Sequence, residues 1–156
     1  MNAEHVNIFI NALTGVFQEI AQTNLSINSK GVRTSNKYDK NVVVLVGITG
    51  EVRGNIALSM DESYAKGIAS SMMCGMPVEV FDEMPQSAIR EMANIMMGKV
   101  ASLFEEVRIM IDITPPTLMT GEGLTISNTI SPTLILGFND ANNSNQNVVE
   151  LDITVK

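Results

Sequence analysis

The feature that most narrows the possible folds is a run of β-branched side chains at residues 42–48, Val-Val-Val-Leu-Val-Gly-Ile. A run of this kind is typical of a strand buried on both faces, because both alternating sets of its side chains are apolar. A tight turn at Thr49–Glu51 and a second β-capable segment, Val52–Met60, predict a hairpin directly after it. The chain is therefore expected to build a sheet that has cover on both sides.

Three other segments carry the spacing of apolar residues that is typical of an amphipathic helix. In the first, Phe9, Leu13 and Phe17 fall on one side while polar residues fall on the other. The second follows Asp61, a residue type that caps helix N-termini, and stops at Gly75. The predicted helices are Ala3–Gln22, Glu62–Cys74, and a longer one that begins around Asp82–Gln86 and ends near Glu106.

The remaining segments predict further strands joined by turns. Ile109–Ile113 and the pair Pro115-Pro116 lead from the third helix into a second β region. The asparagine-rich stretch Asp140–Asn147 has no periodicity and predicts a hairpin connection. The predicted strands are Leu25–Thr34, Thr117–Thr120, Leu124–Ile130, Thr133–Phe138 and Val148–Val155.

Length and composition indicate one compact domain over residues 1–156. The 156 residues are 45% hydrophobic and 17% charged, which is the balance of a chain that forms a core. A helix followed by strands occurs at about 3–60 and again at about 84–139, and the spacing Asn-x-x-x-Gly occurs in both helices. We therefore predict an internal duplication with these two ranges as pseudo-repeats.

The charge balance excludes several classes of partner. There are 17 acidic residues against 10 Lys and Arg, so the formal charge is −7. This sign gives no electrostatic footprint for nucleic acid and repels anionic lipid. No apolar run approaches the ~20 residues of a membrane span, and the first residues do not resemble a signal peptide. We expect a cytoplasmic protein that does not bind nucleic acid or insert into a membrane.

The rare residue types exclude several kinds of site. Cys74 is the only cysteine and His5 the only histidine of the chain. An intrachain disulfide, a cysteine-based zinc site and a histidine cluster are therefore excluded. We expect no metal or cofactor held by the chain itself, and we expect Cys74 to be buried at the end of its helix.

The third helix carries a stripe of small and polar residues on the side opposite its apolar face. An ordinary solvent face favours Lys, Glu, Gln and Arg, whereas Asn costs roughly 0.6 kcal/mol and Gly roughly 1 kcal/mol against Ala inside a helix. We interpret the stripe as a low, hydrogen-bonding surface for a partner, with an ordinary solvent face as the alternative. Arg90 and Lys99 flank this surface and are interpreted as ordinary surface charge, with contact to a partner as the alternative. The stripe consists of Ser87, Glu91, Asn94, Gly98 and Ser102.

This stripe, written Ser87-x-x-x-Glu91-x-x-Asn94-x-x-x-Gly98 and followed by Pro115-Pro116, resembles the signature of the CheC/CheX/FliY response-regulator phosphatases. The likeness extends to residues 50–60 and 115–121, so it covers most of the chain. The resemblance implies an α/β (α+β) two-layer sandwich, in which long helices pack on an antiparallel sheet in a CheC-like fold.

The first helix indicates which member of the family the chain resembles. Asn11 and Gly15 keep half of the motif, but Ile8 stands where the family has Glu. This departure is typical of the CheX type, which has one active helix in each subunit and works as a homodimer. Glu4 and Asn7 repeat the Glu-x-x-Asn spacing and are interpreted as a chance match.

The implied reaction is hydrolysis of the aspartyl phosphate on a CheY-like receiver domain. In the family's scheme Asn94 positions the attacking water, Glu91 pairs with the receiver's lysine, and Mg²⁺ belongs to the receiver. An acyl phosphate hydrolyses unaided, so a hundredfold acceleration needs only about 2.7 kcal/mol. Positioning a water molecule supplies a contribution of that size without a strong base.

An alternative from another class of function remains open at this point. The same fold is similar to the middle domain of flagellar switch proteins, which assemble and catalyse nothing. A non-catalytic module that only binds a receiver, or a switch-like scaffold, is therefore the second hypothesis. The pair Glu91 and Asn94 favours the phosphatase, because a scaffold has no use for Asn inside a helix.

Overall fold

The protein is described by a computed structural model, and the structure describes residues 1–128, 132–141 and 145–156. In this part of the chain, helices pack against one face of a seven-stranded antiparallel sheet, as predicted. The elements are α1 (Ala3–Ala21), β1 (Leu25–Val32), β2 (Val42–Gly50), β3 (Gly54–Met60), α2 (Glu62–Met72), α3 (Glu83–Glu106), β4 (Ile111–Ile113), β5 (Thr117–Thr120), β6 (Leu134–Asp140) and β7 (Val149–Val155).

The sheet runs in the order β1-β6-β7-β3-β2-β4, and β5 also pairs with β2. The long hairpin β2–β3 pairs Val42 with Met60 at one end and Ile48 with Gly54 at the other. On its other edge β2 accepts two short strands in succession, β5 beside 42–45 and β4 beside 48–50. The segment between α3 and β5 is thereby fixed along one strand of the sheet.

The main core lies between the helices and the inner face of the sheet. Val44, Val46 and Ile48 of β2 join it, and so do the apolar faces of α1, α2 and α3. The rings of Phe9 and Phe104 meet edge to face, 5.7 Å apart, where α1 and α3 pack together. Burial of this kind is the main source of stability for helices whose own propensity is modest.

The outer face of the sheet has a smaller cover, which confirms that β2 is buried on both sides. Val43 is fully buried there and packs with Tyr38 and Ala57. The Tyr38 hydroxyl donates to Asp152 at 2.7 Å, and Arg33 pairs with the same carboxylate while lying over the Tyr38 ring. These contacts hold the connection between β1 and β2 against the sheet.

One predicted strand is wrong in the described residues. Leu124–Ile130 was expected to be a strand, but 124–128 form only an isolated bridge between Thr125 and Lys37. Both edges of β2 are already paired, and Leu124 and Ile126 instead pack onto the outer cluster around Val43. Residues 129–130 of that prediction, and 142–144 of the predicted connection Asp140–Asn147, lie outside the described residues.

Several local predictions also need correction. The turn expected at Thr49–Glu51 comes later, because β2 continues to Gly50 and β3 begins at Gly54.

Asp61 occupies the N-cap position of α2 but makes no cap hydrogen bond. Asn41 Oδ1 accepts from the Glu62 N–H at 2.7 Å instead. Cys74 is exposed rather than buried, since it follows the end of α2 with a left-handed φ of 59°.

The other predicted elements are confirmed, with ends that shift by a few residues. In the described residues, no helix is both long and apolar enough to cross a membrane. The internal duplication stays a prediction.

Candidate functional site

An open cleft lies between the exposed side of α3 and the segment that follows β4. It has a volume of about 590 Å³. The inner wall comes from α3, and the outer wall comes from the end of β4 and the residues just after it. The residues that line it are Ser87, Arg90, Glu91, Asn94, Ile113, Thr114, Pro115 and Pro116.

The orientation of α3 follows from its apolar spacing. Ile89, Met92 and Met96 are buried to 1% exposure or less, which turns the opposite side of the helix to solvent. Pro85 stands in the first turn, where its missing N–H costs no helical hydrogen bond. The polar stripe is accordingly exposed at Ser87, Glu91, Asn94, Gly98 and Ser102, as the sequence predicts.

Glu91 and Asn94 both line the cleft. They are three residues apart on one helix, so their side chains are neighbours. Neither side chain makes a hydrogen bond to any residue that the structure describes. A carboxylate and an amide therefore face the cleft with their hydrogen-bonding capacity free for a partner or for water.

Ser87 belongs to a small network at the start of the cleft. Its hydroxyl donates to Glu83 Oε1 at 3.1 Å and accepts from Arg90 Nη2 at 2.8 Å. Arg90 Nη2 also donates to Glu83 Oε1 at 2.6 Å. The hydrogen bonds from Arg90, and next from Ser87, lower the pKa of the Glu83 carboxyl. These hydrogen bonds hold Arg90 in the same cleft as Glu91 and Asn94. Its interpretation as ordinary surface charge did not predict this.

The opposite wall is fixed by the sheet. Thr114 continues the pairing of β4 with β2, because its N–H donates to the carbonyl of Gly47 at 3.0 Å. Pro115 and Pro116 follow directly and line the cleft. Thr114 was not among the predicted site residues, and its hydrogen bonds depend on pairing that sequence spacing does not show.

Two residues of the predicted stripe lie beyond the cleft. Gly98 and Ser102 are one and two turns past Asn94 and are not among the lining residues. The Ser102 hydroxyl donates back to the carbonyl of Gly98 at 3.1 Å. A Cβ atom at Gly98 would meet nothing within 4 Å, so the helix surface there is low and open. These two residues extend the polar surface of α3 away from the cleft.

The first helix lacks a matching site. Ile8, where an acid would stand, is 8% exposed and belongs to the main core. Asn11 is exposed and lies with Glu4 and Asn7 along a separate groove between α1 and the end of α3. That groove has no wall comparable to the proline pair.

No group of His, Cys, Asp and Glu in the described residues is arranged to hold a metal ion. His5 packs against Phe104, with ring centroids 5.3 Å apart, and does not line the cleft. The side chains that do line it are suited to hydrogen bonding and charge pairing rather than to coordination by a histidine or cysteine set.

Comparison with known proteins assigns this arrangement to a family. Residues 42–146, which include α3 and both walls of the cleft, match the family described as chemotaxis phosphatase CheX. The chain belongs to the CheX family. It is 35% identical over 121 residues to the CheY-P phosphatase CheX of Thermotoga maritima, covering 75% of this chain and 78% of that protein. The resemblance drawn from the α3 motif is thereby confirmed.

Solved structures of family members have the same fold. The chemotaxis protein CheX of Vibrio vulnificus superposes with a TM-score of 0.86 at 23% identity, covering 99% of this chain and 100% of that one. The CheX–CheY–BeF₃–Mg²⁺ complex of Borrelia burgdorferi matches with a TM-score of 0.81 at 26% identity and 97% coverage of each chain. The predicted CheC-like fold is confirmed by these likenesses.

Proposed function

We propose that this chain is a phosphatase that hydrolyses the aspartyl phosphate of a CheY-like receiver domain. Membership of the CheX family supports the activity, and the Thermotoga relative is named for its action on CheY-P. The Borrelia relative was crystallised with CheY, which supports a receiver as the partner. The observation that carries the proposal is the open cleft in which Glu91 and Asn94 stand side by side.

In the proposed reaction, one water molecule attacks the phosphorus atom and the bond to the aspartyl oxygen breaks. The products are inorganic phosphate and the free carboxylate of the receiver. Asn94 holds the attacking water in line through its side-chain amide, in the way that a Gln orients water in GTPases. The amide does not take up the proton, so its contribution is positioning, which supplies the modest acceleration that an acyl phosphate requires.

Glu91 has a different role in the proposal, because its charge is repelled by a phosphoryl group. A carboxylate in the cleft is useful when it pairs with a cation on the partner, and the receiver's lysine fulfils that requirement. Such a charge-assisted hydrogen bond is stronger than a neutral one and fixes the register of the two proteins. Glu91 therefore orients the receiver so that its phosphoryl group lies beside Asn94.

Other parts of the molecule complete the docking surface. Ser87, Gly98 and Ser102 form the low polar surface along α3 on which the receiver settles. Mg²⁺ is supplied by the receiver in this scheme, and the chain brings no metal or cofactor. We also propose that two copies of the chain pair as a homodimer and that the protein acts in the cytoplasm. Light scattering of the purified protein measures the first of these directly.

The test is the decay of a phosphorylated CheY receiver in the presence of Mg²⁺, with and without catalytic amounts of this protein. We expect faster decay with many turnovers per molecule. Unchanged decay together with saturable binding would overturn the phosphatase and support the alternative, a non-catalytic receiver-binding module or switch-like scaffold. Absence of binding to any receiver of the same organism would overturn both.

A further inference from the structure

Arg90 is the one cation among the described residues that line the cleft. The other lining side chains are neutral apart from Glu91, which is negative. The chain as a whole carries a formal charge of −7. The net charge of the chain repels a phosphorylated partner, and among the described residues that line the cleft Arg90 is the one that attracts it.

The side chain of Arg90 is anchored at one end only. Nη2 donates to Glu83 Oε1 at 2.6 Å and to Ser87 Oγ at 2.8 Å. Nε and Nη1 have no hydrogen-bond partner among the residues that the structure describes. The side chain keeps 31% of its surface exposed.

This anchoring favours one orientation of the guanidinium before a partner arrives. Glu83, Ser87 and Arg90 lie four and then three residues apart, so all three project from the same side of α3. The guanidinium presents a planar fork of donors, which matches the oxygens of a phosphoryl group better than the point charge of a lysine does. Arg90 lines the same cleft as Asn94, the residue proposed to hold the attacking water.

We propose that Arg90 binds the phosphoryl oxygens of the docked receiver and that Glu83 and Ser87 position its guanidinium for this contact. The proposal rests on the function proposed above and adds the residue by which the chain distinguishes a phosphorylated receiver from an unphosphorylated one. Glu91 orients the partner and Asn94 holds the water, whereas Arg90 neutralises the charge of the group that is removed.

The experiment measures binding to a CheY receiver in two forms, with Mg²⁺ alone and with Mg²⁺ and beryllofluoride, a stable mimic of the phosphoryl group. We expect the wild-type chain to prefer the beryllofluoride form. We expect Arg90→Gln to lower that preference about tenfold, because it loses a charge-assisted hydrogen bond at an accessible site. Its binding to the Mg²⁺ form should change little. Arg90→Lys restores only part of the preference.

Two further variants show whether the effect comes from Arg90 itself, from the net charge of the helix or from a change in stability. Lys99→Gln removes the same charge from the same helix outside the cleft, and we expect it to keep the full preference. Glu83→Gln weakens the anchoring of Arg90, and we expect it to lower the preference by less than Arg90→Gln does. Melting temperatures of all variants are measured alongside, and we expect them to stay within a few degrees of wild type.

The results distinguish the role of Arg90 in binding from the proposed phosphatase activity. If Arg90→Gln keeps the preference, or if Lys99→Gln loses as much, Arg90 does not bind the phosphoryl group. A wild-type chain that binds both forms equally also overturns the inference. A wild-type chain that prefers the beryllofluoride form in an Arg90-dependent way, yet never accelerates decay, supports the inference and contradicts the phosphatase.

Discussion

Gly47 and Thr114 hold the outer wall of the cleft to the sheet through two hydrogen bonds. The Gly47 N–H donates to Thr114 Oγ1 at 2.8 Å, and the Thr114 N–H donates to the Gly47 carbonyl at 3.0 Å. A Cβ atom at position 47 would come within 3.0 Å of Oγ1 and Cγ2 of Thr114. The absent side chain of Gly47 is therefore what lets Thr114, and the prolines that follow it, lie against β2.

Thr114→Val removes the side-chain hydrogen bond while keeping the shape of the residue. The Gly47 N–H then loses its acceptor, and we expect the wall at Pro115-Pro116 to become less fixed beside Asn94. Dephosphorylation should slow several-fold, because catalysis by positioning is sensitive to shifts of about 1 Å. The loss of stability should be about 1 kcal/mol or less, since both residues are accessible to water.

The matched control for this change is Thr120→Val on β5, an exposed threonine without a side-chain hydrogen bond in the described residues. We expect its rate of receiver dephosphorylation to equal that of wild type. Equal rates for Thr114→Val and wild type would show that the wall contributes nothing to the reaction.

Asn94→Ala removes the amide that is proposed to hold water. We expect the acceleration of receiver dephosphorylation to disappear, while binding to the beryllofluoride form of the receiver stays within a few-fold. The fold itself should become slightly more stable, because Ala is a better helix former than Asn by roughly 0.6 kcal/mol. Single-turnover decay and urea unfolding measure the two effects separately.

Asn11→Ala is the control for Asn94→Ala on the first helix. Asn11 is exposed and is followed by Gly15, but the position of the acid is taken by buried Ile8. We expect this variant to retain full activity. Loss of activity in Asn11→Ala, or full activity in Asn94→Ala, would show that the reaction does not take place at α3.

Glu91→Ala is expected to fail in a different way from Asn94→Ala. Without the carboxylate the partner's lysine loses its counter-charge, so binding to both forms of the receiver should weaken about tenfold or more. Glu105→Ala, which removes an exposed acid from the last turn of the same helix, is the control and should leave binding unchanged. If Glu91→Ala binds normally and only slows the reaction, Glu91 acts on the chemistry rather than on docking.

The sequence predicts α3 and its polar stripe well because both depend on local spacing. Apolar residues at 3.6-residue intervals define which side of the helix is buried, and that side is buried in the structure. The run at 42–48 likewise predicts a strand with two covered faces, and Val43 and Val44 are indeed buried on opposite sides of the sheet. The central residues of the candidate site therefore follow from the sequence alone.

The features that the sequence does not show depend on contacts between distant segments. Residues 124–128 have the composition of a strand, yet they hydrogen-bond to the connection at residues 36–38 and pack on the outer face of the sheet. The cap of α2 comes from Asn41 rather than from adjacent Asp61. Arg90 has the spacing of a surface cation, and only the geometry of Glu83 and Ser87 shows that it is held in the cleft.

Two tyrosine hydroxyls donate to carboxylates on the last strands. Tyr38 donates to Asp152 at 2.7 Å, and Tyr64 donates to Asp140 at 2.9 Å. Burial, and then the hydrogen bond to a carboxylate, raises the pKa of both phenols well above the ordinary value. The folded protein therefore keeps these protons at a pH at which the unfolded chain releases them.

This difference makes the free energy of unfolding depend on alkaline pH. The contribution of Tyr38 is complete below the ordinary tyrosine pKa of about 10 and falls above it by up to about 1.4 kcal/mol for each pH unit. Tyr38→Phe lacks this contribution and leaves buried Asp152 with one donor fewer, so it should be about 1–3 kcal/mol less stable at neutral pH. Urea unfolding between about pH 8 and pH 11 should show the stabilities of wild type and Tyr38→Phe converging as the pH rises.

The control is Tyr64→Phe, which keeps Tyr38. We expect its free energy of unfolding to retain the part of the alkaline decline that comes from Tyr38. A constant gap between wild type and Tyr38→Phe across this range would show that the Tyr38 proton does not contribute to stability.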